Sequence, residues 1–113
     1  MAGKFELKKS KDGQFMFNLK AAHGQVILTS ELYKTKPSAE NGIESVRKNS
    51  AREGAFEVKA TATAKGEPYF ILKATNGQEV GRSEYYSSTK AMENGIESVK
   101  KNAPEAKVED LAG

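Results

Sequence analysis

The sequence contains no cysteine and no tryptophan, a single histidine and no long apolar run. The absence of cysteine excludes disulfides, thiolate nucleophiles and cysteine-ligated metal sites. The longest apolar runs, residues 26–28 and 69–72, fall far short of the roughly 20 residues that a membrane span requires. Residues 1–7 alternate apolar and charged side chains, unlike a signal peptide. We therefore expect a cytoplasmic protein that does not associate with membranes.

Charge of either sign is present but not concentrated. The 18 basic and 15 acidic residues give a net charge of +3 and are interspersed along the chain. Nucleic-acid binders usually collect their basic residues on one face or in one run. With 113 residues, 37% of them hydrophobic, the chain is typical of one globular domain with one shared core.

An internal repeat organises the chain. A shift of 53 positions aligns residues 15–50 with 68–103, and 18 of these 36 positions are identical. The leading strands align at a shift of 51, so the second copy has two extra residues in its first turn. We interpret residues 1–113 as a single domain with repeat 1 at residues 5–58 and repeat 2 at residues 56–111. Two such short units predict a pseudo-twofold axis through a common core.

Each repeat begins with short segments of alternating polarity that are separated by glycine-containing turns, a pattern typical of a β-meander. The predicted turns are Asp12-Gly13, His23-Gly24, Lys65-Gly66 and Asn76-Gly77. The third strands, at about residues 25–33 and 78–86, alternate less regularly, which allows for a bulge.

Helical spacing follows each meander. Apolar or small residues recur at i, i+3, i+4 and i+7, which predicts helices at about residues 36–49 and 89–102 that pack one face on the sheet. Thr35 and either Ser88 or Thr89 are suitable N-caps, and Asn49 and Asn102 suit a left-handed residue at the helix end. Residues 107–111 are expected to form a short closing strand.

Two motifs stand in two copies: Ser-Glu-Leu-Tyr at residues 30–33, with its counterpart Ser-Glu-Tyr-Tyr at residues 83–86, and Glu-Asn-Gly-Ile-Glu-Ser-Val at residues 40–46 and 93–99. With these motifs the chain resembles the duplicated branch of the YegP-like family, an uncharacterised family of bacterial proteins. The resemblance implies an α+β fold of two β3-α-β repeats, which form one antiparallel sheet with two helices on one face and exchange their C-terminal strands. It implies no activity, cofactor or site residue.

Catalytic chemistry lacks a convincing set of residues. His23 and its counterpart Asn76 each precede a glycine in a tight turn, where Asn and His tolerate positive φ. The Ser-Glu pairs at residues 30–31 and 83–84 alternate between the two sheet faces and have no identifiable base, so strand-end hydrogen bonds are the simpler interpretation. We expect no catalytic residue, no cofactor and no metal, and the enzyme alternative is the weakest.

Gly42 and Gly95 lie in the middle of the helices, where glycine costs about 1 kcal/mol relative to alanine. Their repetition predicts that the helix backbone lies so close to the sheet that a methyl group would not fit. A ligand that approaches the backbone is the other interpretation.

Polar residues also recur on the helices. Glu44 with Lys48, and the equivalent pair at residues 97 and 101, stand in the favourable i, i+4 order for exposed ion pairs. The pairs Asn41/Asn94 and Ser45/Ser98 have no evident structural role and form a candidate site.

If both helices cover one face of the sheet, the other face is bare. Alternation places a mixed apolar, aromatic and basic set on that face, and this set is the candidate binding surface. It consists of Met16, Asn18, Lys20, Tyr69, Ile71 and Lys73. Such a face suits a protein partner or single-stranded nucleic acid. The sequence therefore predicts a small monomeric, non-enzymatic binding or interaction module, with nucleic-acid binding by the open sheet face as the alternative.

Overall fold

The computed structural model describes residues 3–52, 54–60 and 66–112, which form seven strands and two helices in the order βββαβββαβ. The elements are β1 (Lys4–Lys9), β2 (Phe15–Lys20), β3 (Val26–Ser30), α1 (Lys36–Asn49), β4 (Phe56–Ala60), β5 (Pro68–Lys73), β6 (Glu79–Arg82), α2 (Thr89–Asn102) and β7 (Lys107–Asp110).

One sheet contains all seven of these strands, in the order β4-β5-β6-β3-β2-β1-β7. Thr29 of β3 pairs with Arg82 of β6, and these two positions are equivalent in the repeats, so the pseudo-twofold axis passes between them. The predicted closing strand forms as β7. It pairs with β1 of the other repeat, as the resemblance implied. This pair is parallel, which corrects the expectation of a purely antiparallel sheet.

Both helices cover the same face of the sheet, as predicted. Their rows of small and apolar residues pack on Phe5, Leu7, Phe17, Leu19, Phe70 and Leu72, which are fully buried. Among the described residues, neither helix is long and apolar enough to cross a membrane.

The helix bounds agree with the prediction, but the helix ends differ. The Thr35 and Ser88 side chains accept hydrogen bonds from the third residue beyond them and cap α1 and α2. Asn49 and Asn102 do not adopt the left-handed conformation, since no described non-glycine residue has positive φ. Each instead donates from its side-chain amide to the helix backbone four residues earlier, at 2.8 Å, which keeps these last helical residues in place.

Two further local predictions change. Positive φ in the turns is carried by Gly24 and Gly77, not by the residues that precede them. The expected i, i+4 ion pairs are replaced by i, i+3 pairs of Glu44 with Arg47 and of Glu97 with Lys100. Lys65, the first residue of the turn predicted at residues 65–66, lies outside the described residues. The two-residue insertion belongs to the segment between β4 and β5, of which residues 61–65 also lie outside the described residues.

The third strands are shorter than predicted and contain the suggested bulges. The ladder register shifts between Leu19 and Lys20, and again between Leu72 and Lys73. Because of the shift, Ile27 and its counterpart Val80 are buried together with their neighbours, which explains the irregular alternation in the sequence.

Candidate binding sites

The predicted surface lies on the sheet face opposite the helices, but it is less exposed than expected. Met16, Lys20, Tyr69 and Lys73 are half-buried. The expected exposure is wrong for Asn18 and Ile71, whose exposed fractions are only 8% and 4%.

Neighbouring strands explain this burial. Ile71 stands directly between Glu57 on β4 and Arg82 on β6, whose long side chains flank it on both sides. Asn18 accepts a hydrogen bond of 3.0 Å from the Thr29 hydroxyl on the adjacent strand. An uncovered sheet face can therefore bury residues beneath its own long side chains.

A buried carboxylate organises the repeat 1 half of this face. The side chain of Glu6 is only 8% exposed and lies 3.0 Å from the Lys20 ammonium and 3.5 Å from those of Lys4 and Lys8. The hydrogen bond from Lys20, which outweighs the effect of burial, lowers the pKa of Glu6. Three lysines on this face are thus paired with a carboxylate.

The repeat 2 half contains a more exposed version of the same arrangement. Glu57 lies 3.1 Å from Lys73 and 3.5 Å from Lys59, and its side chain is 43% exposed. The hydrogen bond from Lys73 lowers the pKa of Glu57. Pairing on both halves reduces the positive charge that this face offers to a polyanion.

Sequence reasoning missed an aromatic pair on the same face. The Tyr85 ring packs edge-on against Tyr69, with centroids 5.2 Å apart, and Tyr85 is 58% exposed. The counterpart of Tyr85 is Leu32, which is also exposed. The sequence signal for this pair was the large apolar or aromatic residue that follows each Ser-Glu pair, Leu32 in repeat 1 and Tyr85 in repeat 2.

The Ser-Glu pairs themselves make strand-end hydrogen bonds, as predicted. The Ser30 hydroxyl accepts from the Phe17 backbone N–H at 2.9 Å and donates to the Glu31 carbonyl at 2.7 Å. Ser83 makes the same two bonds in repeat 2, to Phe70 and Glu84. Both hydroxyls are therefore occupied by the backbone.

Gly42 and Gly95 are explained by side chains rather than by the sheet backbone alone. Tyr33 stacks on Phe17, and a methyl group at Gly42 would overlap the Tyr33 hydroxyl and come within 2.9 Å of the Phe17 ring. The tyrosine of repeat 2 occupies the same place beside Gly95. Each tyrosine lies between strand and helix with its hydroxyl beside the helix backbone.

These tyrosines line two open clefts, each between a helix and the hairpin of the other repeat. The first cleft, between α1 and the β5–β6 hairpin, has a volume of about 570 Å³. The second cleft, between α2 and the β2–β3 hairpin, has a volume of about 350 Å³. The second cleft is lined by His23, Gln25, Ile27, Tyr86, Ala91, Asn94, Gly95 and Ser98.

All eight of these positions have their repeat equivalents in the lining of the first cleft. The equivalents are Asn76, Gln78, Val80, Tyr33, Ser38, Asn41, Gly42 and Ser45. The two clefts are therefore copies related by the pseudo-twofold axis, and each contains one Asn and one Ser of the pairs that the sequence singled out.

Ser45 and Ser98 also have a structural role that the sequence did not reveal. Their hydroxyls lie 3.0 and 3.1 Å from the side-chain amides of Asn49 and Asn102. Asn41 and Asn94, in contrast, are exposed, and their side chains make no hydrogen bond to another described residue.

The tyrosine hydroxyls are protonated near neutral pH, and burial raises their pKa further. Burial, with a smaller contribution from the charge of Glu31, raises the pKa of Tyr33. Burial and the charge of Glu84 do the same for Tyr86. Each cleft thus offers a phenol that donates a hydrogen bond near neutral pH, beside amide groups that both donate and accept.

Comparisons with known proteins agree with this architecture. The model of a domain of unknown function, DUF1508, matches residues 10–57 and 64–110. UPF0339 protein PA0329 of Pseudomonas aeruginosa is 62% identical over 97% of this chain and 98% of that protein. UPF0339 protein YegP of Escherichia coli strain K12 is 52% identical over 97% and 98%, respectively.

Two solution NMR structures have the same fold. UPF0339 protein SO3888 from Shewanella oneidensis superposes with a TM-score of 0.91 at 49% identity, over 99% of this chain and 93% of that one. The yegP protein of E. coli superposes with a TM-score of 0.89 at 50% identity, over 100% and 96%. The likeness covers both repeats.

Proposed function

Because the chain belongs to the DUF1508 family of YegP-like UPF0339 proteins, which has no assigned function, we propose a function from its own geometry. The protein is a non-catalytic module that binds an uncharged polar ligand in two equivalent clefts. The observation that carries this proposal is the duplication of the cleft. Five of its eight lining residues are identical in the two copies, among them the Tyr, Asn and Gln side chains.

The asparagines of the two clefts indicate that the duplicated cleft binds a ligand. An exposed asparagine in a helix interior is less favourable than alanine, glutamate or lysine by several tenths of a kcal/mol. Asn41 and Asn94 are retained at such positions without a partner among the described residues. A ligand that uses their amide groups is a physical reason to keep them.

The lining also indicates the class of ligand. Among the described residues, the second cleft itself is lined by amides, hydroxyls, one imidazole and apolar groups, without a carboxylate or ammonium group. An adjoining recess that shares His23, Asn94 and Ser98 adds Glu97 and Lys101, whose charges are opposite. The first cleft adds Glu31 and Glu79, which oppose an anion. Linings that offer hydrogen-bonding groups and no net positive charge favour a neutral polyol or amide over a phosphate-containing ligand.

The occupied serine hydroxyls support the non-catalytic part of the proposal. Ser30 and Ser83 already donate their protons to backbone carbonyls, so neither is prepared for nucleophilic attack. The protein is further proposed to be monomeric and cytoplasmic, which sedimentation and cell fractionation would test.

The test is an NMR titration of the ¹⁵N-labelled full chain with neutral sugars, short uncharged amides, inorganic phosphate and a mononucleotide. A neutral ligand should shift the side-chain amide signals of Asn41 and Asn94 together. Loss of one hydrogen bond costs about 1 kcal/mol, so Asn41→Ala should weaken the first cleft about fivefold.

Lys48→Ala is a matched control, because Lys48 is exposed on the same helix and lines neither cleft. It should leave the titration unchanged. Shifts produced only by phosphate or the nucleotide, or identical affinities for the Asn41→Ala protein and the parent, would contradict the proposal.

Nucleic-acid binding by the open sheet face is the second candidate, and the Tyr69–Tyr85 pair favours it, since exposed aromatic rings can stack on bases. The pairing of Lys20 and Lys73 with glutamates weighs against it. Fluorescence anisotropy with single-stranded DNA at two salt concentrations separates the possibilities. An affinity that falls steeply with salt would support this candidate, provided that the salt dependence becomes weaker in the Lys20→Ala and Lys73→Ala proteins.

A further inference from the structure

The outer edges of the two repeats are unequal. In repeat 1, β7 covers the edge of β1 with a parallel register in which Phe5 is opposite Val108. The equivalent strand of repeat 2, β4, pairs on one side with β5 and is the last strand of the described sheet on the other. Within the part of the chain that the structure describes, the pseudo-twofold axis thus relates an occupied edge to a free one.

Apolar residues at the free edge are correspondingly uncovered. Leu7 is fully buried, whereas its counterpart Val58 is 53% exposed. Ile43 of α1 is buried and lies in a recess that Val108 of β7 also lines. Its counterpart Ile96 on α2 is only half-buried. We define the apolar strip as Phe56, Val58 and Ile96.

Backbone groups beside this strip are also available. The Lys73 N–H donates to the Ala55 carbonyl at 2.8 Å, so residues 55, 57 and 59 direct their backbone groups towards β5. Phe56 and Val58 therefore direct theirs away from it. In repeat 1 the equivalent Leu7 carbonyl accepts from the Leu111 N–H at 2.8 Å.

We propose that the β4 edge binds an extended segment of a partner protein, which adds to the sheet parallel to β4 as β7 adds to β1. The outward groups of Phe56 and Val58 supply backbone hydrogen bonds. The apolar strip accepts a β-branched residue in the place that Val108 takes in repeat 1. This is strand addition, in which the backbone provides affinity and alternate side chains provide specificity.

Charge distinguishes this partner segment from the chain's own β7. Three cationic residues hold the acidic β7: Lys4 pairs with Glu109 at 3.3 Å, Lys36 pairs with Asp110, and Arg47 donates to the Ala106 carbonyl. Their counterparts in repeat 2 are Ala55, Thr89 and Lys100. The β4 edge lacks the first two of these cations and keeps the third as Lys100, whose ammonium lies 5.8 Å from the centroid of the Phe56 ring. With fewer cations than the β1 edge, it favours an apolar, non-acidic strand over the β7 strand of a second copy.

Two blocked peptides serve as probes, one of alternating Val and Thr and one in which Glu replaces each Thr. They are titrated into the ¹⁵N-labelled full chain. The Val/Thr peptide should shift the amide signals of Phe56 and Val58 and slow their hydrogen exchange, while Phe5 and Leu7 remain unchanged. The Glu-containing peptide should bind at least fivefold more weakly.

Variants at Val58 and Thr89 test the geometry and the charge separately. Val58→Pro removes an outward N–H that β5 does not use, so the fold should persist while peptide affinity falls at least tenfold. Val58→Thr keeps that N–H and the branched shape and should bind within twofold of the parent.

Thr89→Lys introduces the cation that Lys36 provides in repeat 1, and it should raise affinity for the Glu-containing peptide at least threefold. This charge test can be made whether or not the Val58→Pro protein folds. Peptide shifts confined to β1 and β7, unchanged binding by a folded Val58→Pro protein, or a dimer in sedimentation that blocks the peptide would overturn the proposal. Because the clefts lie elsewhere, failure here leaves the ligand titration unaffected.

Discussion

The two repeats are more alike at their clefts than at their outer edges. Around Gly42 and Gly95 the contacts are the same in both repeats: each glycine lies beside a tyrosine whose ring stacks on a phenylalanine, with centroids 6.3 Å apart. At the outer strand, however, Leu7 is buried and Val58 is exposed. Duplication therefore preserved the interior of the unit, while its boundary depends on which repeat receives the last strand.

The pseudo-twofold axis shows a second, smaller asymmetry. A Cβ at Gly81 would come within 2.8 Å of the Thr29 carbonyl oxygen and 3.2 Å of Leu28 Cγ. Leu28 is itself the repeat equivalent of Gly81. Two leucines cannot occupy this position at the axis, so one copy supplies the large residue and the other supplies the space.

The largest difference between the repeats is expected when one equivalent side chain in the first strand of each repeat is shortened to alanine. Leu7→Ala should lower the free energy of unfolding by about 2–5 kcal/mol, because Leu7 is fully buried beneath α1 and beside β7. Val58→Ala should lower it by less than about 1 kcal/mol. Urea denaturation of both variants checks this, and similar losses would mean that the β4 edge is covered.

The two repeats should also differ in their response to an exchange of equivalent residues on the open sheet face. Ile71→Asn introduces the repeat 1 residue at a position that is only 4% exposed and lies opposite Arg82 instead of Thr29. It should cost about 2–4 kcal/mol, because a buried amide replaces apolar volume without the threonine partner of Asn18. A neutral result in denaturant melts would show that Ile71 is solvated.

The two helix glycines should respond alike. Gly42→Val and Gly95→Val should each destabilise the protein by about 1–3 kcal/mol beyond the change in helix propensity, since both side chains would collide with a stacked tyrosine. Thermal and urea melts provide the measurement. If only one substitution destabilises the protein, the close approach is not equivalent in the two repeats.

The carboxylates should give the smallest difference. Glu6→Gln should cost about 1 kcal/mol, because three lysines lose a largely buried partner, and Glu57→Gln should cost less. The pKa of Glu6 is lowered in the folded state, so its contribution is present above the unperturbed value of 4.5 and is lost as pH falls through the lower folded value.

Urea melts of the Glu6→Gln protein should therefore lose part of the acid dependence that the parent shows below about pH 4.5. A parent and a variant with parallel pH profiles would exclude Glu6 as a source of acid sensitivity.

Local patterns made much of the fold predictable. Helical periodicity and the caps gave the bounds of α1 and α2, and alternation gave the buried face of β2. What the sequence could not give depends on neighbours that are distant in the chain. The parallel pairing of β7, the burial of Ile71 between Glu57 and Arg82, and the difference between Leu28 and Gly81 all require strand order.

The candidate sites divide in the same way. Asn41 and Asn94 were identified because the repeat retains them, but their clefts could not be predicted, since each cleft combines a helix with the hairpin of the other repeat. The free edge of β4 was hidden for a related reason. Residues 56–60 read as an ordinary strand, and only the sheet order shows that they pair on one side.

Native-state hydrogen exchange tests the unequal edges most directly. The backbone amides of Phe5 and Leu7 face β7, whereas those of Phe56 and Val58 face away from β5. NMR-detected exchange of the full chain should show Phe5 and Leu7 protected to nearly the global free energy of unfolding, and Phe56 and Val58 exchanging at least a hundredfold faster. Equal protection of the two pairs would contradict the account, because it would mean that both repeats have an occupied edge.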